Sequence, residues 1–198
     1  MIRPYRVPLI VFRKIFERIV NFILLKVENI NYSTYPKING IILFNNQGRI
    51  NFNGKVYLNS GSRYNMIGGD AKLSLWTSSK GIINIGDNSG ISNSALVSFK
   101  SISIGKNVLI GGGVKIYDTD FHSVHFASRK IGLERQGEVV SKSVLICDNV
   151  FIGAHSIVLK GVTIGENSVI GSGSVVTKDI PPNEIWGGNP AVFLRKIA

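Results

Sequence analysis

Aliphatic residues recur every six positions through the C-terminal half of the chain. The repeat occupies one column of Ile and Val: Ile85, Ile91, Val97, Ile104, Ile110, Ile116, Ile146, Ile152, Val158, Ile164, Ile170 and Val176. Neither an α-helix nor a heptad coiled coil sustains a period of six. Three positions after most of them stands a residue that tolerates left-handed backbone: Asn88, Asn107, Gly113, Asn149, His155, Gly161, Asn167, Gly173 and Asp179.

This pattern predicts short strands separated by sharp corners. Three corners would close a triangular coil of about eighteen residues, and coils stacked about 4.8 Å apart would turn the aliphatic column into a continuous core. Gly is abundant, at 22 of 198 residues, while Pro is only 6, so the glycines fit corners rather than a disordered chain. The fold class is therefore an all-β solenoid, and Trp186 is expected to pack over its last coil.

Two segments depart from the repeat. Between residues 38 and 80 it is degenerate, and Ile50, Val56, Ile67 and Leu73 are interpreted as the inward residues of the first coils. Residues 118–143 interrupt the register and carry two of the three histidines. A loop of this length in a compact domain is usually either functional or disordered, and we expect an arm extruded from a corner and able to reach a neighbouring subunit.

From about residue 81 onward the chain resembles the hexapeptide-repeat acyltransferases, whose fold is a left-handed parallel β-helix. The resemblance is greatest in GAHSIVLKGVTIGENSVIGSGSVVTKDIPPNEIWGGNPA (153–191), which is similar to the end of the maltose, galactoside and capsular-polysaccharide O-acetyltransferases. It implies a homotrimer that transfers an acetyl group from acetyl-CoA to a sugar hydroxyl, in surface polysaccharide biosynthesis.

Transfer of an acetyl group to a hydroxyl requires a base near neutral pH, which histidine supplies. His122, in KIYDTDFHSVH, matches the catalytic histidine of the family in its sequence context, which implies a general base. Asp120 or Asp118 would orient its imidazole if the segment is extended, because alternate residues then share one side. A backbone carbonyl in that role, or a solvated turn, remains an alternative.

The resemblance also implies a coenzyme site. Four residues match coenzyme-contacting positions, namely Ala154, Ser172, Thr177 and Lys178, and Arg195 matches a cation of the exit segment. Val192 departs from the family's Arg or Lys, so Lys196 would take over that phosphate contact. For Lys178 and Arg195, plain surface charge is the alternative.

Other candidates have structural alternatives beside the functional ones. Asn93 and His125 are expected to line the acceptor end, although His125 could simply be exposed. His155 is expected at a corner. The spacing of His122 and His125 does not match a three-histidine zinc site, so no metal is expected. Cys147, the one cysteine, excludes an intrachain disulfide and is interpreted as structural.

The chain has a formal net charge of +11, which favours an anionic partner. Residues 1–30 concentrate basic residues, and Pro8–Glu28 predicts an amphipathic helix, followed by the β-helix domain at residues 31–198. The longest uncharged run of this helix is too short to cross a bilayer. It would lie on a membrane through residues 1–28, cap the first coil, or do both.

The function expected is therefore that of a cytoplasmic O-acetyltransferase, with peripheral contact at the inner face of the cell membrane as an option. The first residues lack a cleavable signal, which favours a reducing compartment. Another acyl donor, an amine acceptor, or a non-catalytic scaffold remain alternatives. Nucleic-acid binding is not expected, because no aromatic–basic motif accompanies the charge.

Overall fold

Short parallel strands follow one long helix in the computed structural model, which describes residues 6–130 and 139–197. The elements in chain order are α1 (Arg6–Val27), β1 (Asn31–Tyr32), β2 (Lys37–Asn39), β3 (Leu43–Asn46), β4 (Arg49–Phe52), β5 (Tyr57–Asn59), β6 (Ser74–Thr77), β7 (Ile82–Ile85), β8 (Gly90–Ser92), β9 (Ala95–Ser98), β10 (Ile102–Ile104), β11 (Leu109–Ile110), β12 (Lys115–Tyr117), α2 (Phe126–Lys130), β13 (Val144–Ile146), β14 (Phe151–Ile152), β15 (Ile157–Val158), β16 (Thr163–Ile164), β17 (Val169–Ile170), β18 (Val175–Val176), β19 (Glu184–Gly187) and β20 (Val192–Lys196).

The strands form three sheets, and from β1 to β15 each strand pairs with the one three strands later in the chain. Sheet A has the order β1-β4-β7-β10-β13-β16, sheet B the order β2-β5-β8-β11-β14-β17-β19-β20, and sheet C the order β3-β6-β9-β12-β15-β18. Every pairing is parallel except that of β19 with the exit strand β20. One strand from each sheet makes one coil, so the chain winds as the predicted triangular solenoid.

The predicted aliphatic column forms the core, with one exception. Ile85, Ile104, Ile146 and Ile164 lie in register on sheet A and are all buried. Val97 was wrongly placed in this column: it faces outward, and Leu96, which is 0% exposed, lies in register with Ile116. The step from Ile91 to Leu96 is five residues because the corner there is one residue shorter.

The corners adopt the expected left-handed backbone. Positive φ occurs at each predicted corner residue except Asp179, among them Asn107 (55°) and His155 (59°). Asp179 instead accepts a hydrogen bond from the amide of Thr163, and the left-handed corner above Asn167 falls at Asn183. One stack of corners is an asparagine ladder whose side-chain amides bond to one another from coil to coil: Asn88, Asn107, Asn149, Asn167 and Asn183.

The first coils are built as predicted apart from one loop. Ile50, Val56 and Leu73 are 0% exposed. Ile67, predicted to face inward, is 54% exposed, because the chain leaves the coil after β5 and rejoins it at Leu73. The extra residues form a surface loop rather than a worn coil.

The long helix α1 lies against the open end of the first coils. Leu25 is 1% exposed and joins the hydrophobic core together with Ile30. At the opposite end, Trp186 pairs in register with Ile170 and is also part of the core, so the packing expected of it is confirmed. Among the described residues, none of the helices combines the length and apolar character needed to cross a bilayer.

Candidate active site

The arm that carries His122 leaves the coil after β12 and returns before β13. Its two ends are tied together: the amide of Lys142 donates to the carbonyl of Asp118 at 2.8 Å, and the amide of Asp120 donates to that of Val140 at 3.1 Å. Residues 131–138, which complete the expected loop, lie outside the described residues. The root of the arm is thus held as firmly as a strand pair.

His122 follows a tight turn at this root and is exposed. Its amide donates to the carbonyl of Asp120 at 2.7 Å, and the intervening Phe121 has φ of 63°. A three-residue turn of this kind is strained, and a bulky side chain with positive φ is uncommon. Strain of this kind is concentrated at functional sites in proteins.

The alternation predicted for Asp118, Asp120 and His122 is wrong, because the turn at Phe121 breaks the extended run. Asp118 is 0% exposed and points into the coil. Its carboxylate accepts hydrogen bonds from the hydroxyl of Ser98 at 2.8 Å and from the amides of Phe99 at 2.7 Å and Lys100 at 2.8 Å. Asp118 therefore closes a neighbouring corner and has a structural role.

Asp120 has a partner that sequence analysis missed. Its Oδ1 lies 2.6 Å from Nζ of Lys160, and the two side chains remain 31% and 26% exposed. Lys160 stands one coil away from Lys178, since β15 and β18 are in register at Val158 and Val176. The repeat relates Lys160 to Lys178 but gave no signal for the contact with Asp120, because that contact depends on the path of the arm.

An aromatic cluster supports the same turn. The ring of Phe121 lies 5.4 Å from Tyr117 and 6.0 Å from Phe99, which in turn lies 5.0 Å from Trp76. Burial raises the pKa of Tyr117 above its ordinary value. Trp76 and Phe99 lie far from Tyr117 and Phe121 in the sequence, so the hexad pattern gave no sign that these rings meet.

The four coenzyme candidates of the repeat border sheet C. Ala154 precedes β15 and Ser172 precedes β18, and the amide of Gly173 donates to the carbonyl of Ala154 at 2.8 Å, so the two corners are stacked. Thr177 and Lys178 follow β18 at the far end of the same sheet and are exposed. Ala154 and Ser172 therefore lie at one end of the paired strands β15 and β18, and Thr177 and Lys178 lie at the other end.

The candidate cations at the exit are separated. Lys178 places its ammonium 5.1 Å from the centre of the Trp186 ring. Arg195 lies on β20 in sheet B, opposite Ile185, and is exposed. Lys196 and Val192 occupy the same exposed exit strand. Lys178 therefore lies over Trp186 at the end of the solenoid, whereas Arg195 lies on the surface of sheet B.

The three remaining polar candidates differ in burial. Asn93 is 1% exposed, and its amide donates to the carbonyl of Asn65 at 2.7 Å while its oxygen accepts from the amide of Gly61 at 2.7 Å. Its side chain thus holds the 61–72 loop to the corner, and its contact with an acceptor stays a prediction. His125 is exposed at the start of α2, and His155 occupies a corner as expected.

Cys147 is half-buried on the surface of sheet A. Burial raises the pKa of its thiol, and the nearby carboxylates of Asp148 and Glu166 raise it further. A raised pKa lowers the thiolate fraction, which disfavours a nucleophilic role. Within residues 6–130 and 139–197, no three His, Cys, Asp or Glu side chains are grouped as a metal site would require.

The spatial relation among the candidates is simple. β12, β15 and β18 are consecutive neighbours in sheet C. The arm with His122 leaves from the first, Ala154 borders the second, and Ser172, Thr177 and Lys178 border the third. Residues spread over more than fifty positions of sequence thus border three adjacent strands, about 4.8 Å apart.

Comparison with known proteins agrees with this fold. Residues 143–178 match the family model for the bacterial transferase hexapeptide (six repeats). The chain is 45% identical to a galactoside O-acetyltransferase of Escherichia coli (strain K12) over 105 residues, which cover 53% of this chain and 49% of that protein. The chain therefore spans about half the length of this curated relative.

Two solved structures illustrate the likeness. A hexapeptide-repeat acetyltransferase of Vibrio cholerae O1 biovar eltor, complexed with acetyl coenzyme A, is 37% identical with a TM-score of 0.53, covering 59% of this chain and 61% of that one. A mutant of AntD, an N-acyltransferase from Bacillus cereus, is 19% identical with a TM-score of 0.65 over 87% of this chain and 89% of its own, a likeness of fold alone. Residues 143–178 thus match the hexapeptide repeat, and the chain has a left-handed β-helix fold similar to that of the acetyltransferases it resembles.

Proposed function

We propose that this protein is an acetyl-CoA-dependent O-acetyltransferase that modifies a sugar hydroxyl during the assembly of a surface polysaccharide. The relatives named as galactoside O-acetyltransferase and as an acetyltransferase in complex with acetyl coenzyme A support the reaction type and the donor. The observation that carries the proposal is the convergence of the candidate residues on sheet C, where the arm with His122 roots two strands from Thr177 and Lys178.

The reaction assigns a proton path to His122. Its imidazole takes the proton of the acceptor hydroxyl as the oxygen attacks the acetyl carbonyl, and the tetrahedral intermediate then expels the thiolate of coenzyme A, which receives the proton. General-base assistance of this kind supplies about 10²–10⁴-fold in rate. Asp120, adjacent to His122 and tied to Lys160, is the positioning carboxylate of this scheme.

The donor site in this proposal uses backbone and cations. The stacked corners at Ala154 and Ser172 would follow the pantetheine arm, because corner amides and carbonyls are regularly spaced donors and acceptors. Thr177, Lys178 and Arg195 are exposed and would bind the phosphates of coenzyme A, with Lys196 in place of the cation absent at Val192. His125 would bind the acceptor directly, and Asn93 would contribute by holding the 61–72 loop in place.

The proposal includes a homotrimer whose active sites lie between neighbouring subunits. Supporting this, outward residues of sheet C such as Val97, Ile157 and Val175 are apolar and only partly buried in one chain. Light scattering on the purified chain should give three times its 21.6 kDa mass. An active monomer would contradict a site shared between subunits.

The activity is tested by following thiol release from acetyl-CoA with galactosides, maltose and nucleotide-linked sugars as acceptors. His122→Gln should lower kcat at least about a hundredfold while acetyl-CoA binding is retained, because the base acts in the chemical step. His155→Asn is the matched control, since asparagine also accepts the left-handed corner. Wild-type kcat in His122→Gln would remove the base assignment, and no turnover with any sugar would remove the acceptor class.

A further inference from the structure

Helix α1 packs on the solenoid through its polar face. Asn21 is 1% exposed, its amide donates to the carbonyl of Gly40 at 2.7 Å, and its oxygen accepts from the amide of Ile42 at 3.3 Å. Glu17 accepts the hydroxyl of Tyr64 at 2.5 Å, and Glu28 accepts the amide of Asn46 at 2.8 Å. Glu17 in the helix and Glu28, the residue directly after it, are thus both directed toward the solenoid.

The apolar face of α1 points away from the protein. Its large side chains, among them Phe12, Ile15, Phe16, Ile19, Phe22 and Ile23, have exposed fractions from 49% for Phe22 to 72% for Phe12. A helix that served only to cap the solenoid would turn this face toward the core, since burial of apolar area is the main stabilising term. The reversed orientation leaves a continuous apolar surface without a function in the fold.

Positive charge borders that surface. Lys14 and Arg18 are exposed along one edge of the apolar face, and Lys26 is exposed within it. The carboxylates of Glu17 and Glu28 are bonded to the solenoid, so the outward surface of α1 is apolar and cationic. The whole chain carries +11.

Two adjoining clefts lie where α1 meets the first coil. One, of about 340 Å³, is lined by Lys14, Arg18 and Lys37 and by one carboxylate, that of Glu17, which is already bonded to Tyr64 and Arg13. The second, of about 470 Å³, is lined by Ile19, Phe22, Arg18 and Tyr35. Three cations beside an apolar cleft suit a phosphate group attached to a hydrocarbon chain.

We propose that the outward face of α1 docks on an anionic phospholipid surface, with a lipid phosphate held by Lys14, Arg18 and Lys37. The helix lies in the interface with Phe12, Ile15 and Ile19 among the acyl chains, as amphipathic helices with cationic borders do. A second copy of the chain fits this face poorly, because two like-charged surfaces would repel one another.

Sedimentation of the full-length protein with vesicles tests this. The protein should bind phosphatidylcholine vesicles that contain phosphatidylserine, and more weakly those that do not. Raising the salt concentration should weaken binding without abolishing it, because salt screens the charges but not the apolar contact. An equal and complete absence of binding to both vesicle types at low salt would overturn the proposal.

Matched variants separate the two contributions. Each cation near an anionic surface is worth about a fivefold change in affinity, so Lys14→Gln with Arg18→Gln and Lys37→Gln should weaken vesicle binding about a hundredfold. The charge control is Arg49→Gln with Lys80→Gln and Lys106→Gln, exposed cations elsewhere, which should change it far less. Equal losses in the two triple variants would indicate attraction by net charge alone and overturn the site.

The apolar contact is tested with Phe12→Gln combined with Ile19→Gln, against Leu109→Gln combined with Leu145→Gln, whose residues are 56% and 44% exposed on β11 and β13, several coils away from α1. The first variant should lose the salt-resistant binding and the second should keep it. The wild-type protein could instead form an oligomer and fail to bind vesicles. If the first variant then dissociates that oligomer, the face is a contact between copies. If inorganic phosphate binds in the clefts and the protein does not bind vesicles, the ligand is a free anion. Either result overturns the lipid assignment and leaves acetyl transfer to a soluble sugar unaffected.

Discussion

The ammonium of Lys160 lies 2.6 Å from Oδ1 of Asp120 and joins the arm that carries His122 to the neighbouring coil. Because both side chains are about 30% exposed, this pair contributes little to stability, about 0.5 kcal/mol. Its importance would be positional. One oxygen of the carboxylate is held by the lysine, and the carboxylate retains capacity to accept a further hydrogen bond.

Removing either partner of this pair should therefore affect catalysis more than folding. Asp120→Asn and Lys160→Met should each lower kcat about tenfold and leave KM for acetyl-CoA unchanged, because both act through the orientation of His122. The double variant should cost little more than either single one, since the two residues act as a unit. Strict additivity in kcat would show that the ion pair does not position the base.

The strained turn at Phe121 should be needed for its rings rather than for its backbone. Phe121→Gly relieves the positive φ but removes the contacts with Tyr117 and Phe99, so kcat should fall about tenfold, with KM for acetyl-CoA unaltered. Phe121→Tyr should remain near the wild type. Phe126→Ala, at an exposed ring on α2, is the control. A fully active Phe121→Gly would show that the turn does not depend on the cluster.

Lys178 and Arg195 should govern the donor alone. Lys178→Ala and Arg195→Ala should each raise KM for acetyl-CoA about tenfold without changing KM for the acceptor, because a phosphate contact far from the carbonyl contributes uniform binding. Lys80→Ala, which removes an exposed cation from the turn before β7, should change neither value. An unchanged donor KM in both variants would place the coenzyme elsewhere.

The asparagine ladder should stabilise the fold mainly through its backbone conformation. Asn107 has φ of 55° and bonds through its side chain to Asn88 at 2.8 Å and Asn149 at 3.1 Å. Asn107→Ala should lower the free energy of unfolding by about 1–2 kcal/mol, because alanine resists left-handed backbone. Asn107→Gly should cost less, since it loses only exposed hydrogen bonds. Urea unfolding of both variants measures the difference, and equal losses would attribute the stability to the side-chain ladder instead.

Cys147 should react slowly and be dispensable. Its thiol pKa is raised by burial and by Asp148 and Glu166, so the thiolate fraction at neutral pH is below that of a free cysteine and increases only as the pH rises. Alkylation by iodoacetamide should be slow at pH 7 and accelerate in alkaline buffer, and Cys147→Ala should remain active. Rapid alkylation at neutral pH together with loss of activity would contradict a structural cysteine.

The sequence alone determined the solenoid, because its period is local. Each Ile or Val of the column specifies an inward side chain, and each Asn or Gly three positions later permits a corner, so the repeat predicts its own coil. The same regularity located the 118–143 arm, whereas Ala154 and Ser172 were identified by the resemblance to the acyltransferase family. The step from Ile91 to Leu96 is five residues instead of six, so Leu96 takes the place predicted for Val97. One shorter corner leaves the rest of the pattern intact.

Tertiary structure decided what depends on contacts between coils. The sequence did not predict that the carboxylate of Asp118 would accept hydrogen bonds from the amides of Phe99 and Lys100. Nor did it predict the ion pair of Lys160 with Asp120. Both depend on the path of the arm. It predicted an amphipathic helix but not which of its faces would pack on the solenoid, because helical periodicity identifies the two faces without indicating what each one contacts. Hydrogen bonds from Asn21 and Glu17 to the first coils settled that orientation and left the apolar face of α1 exposed.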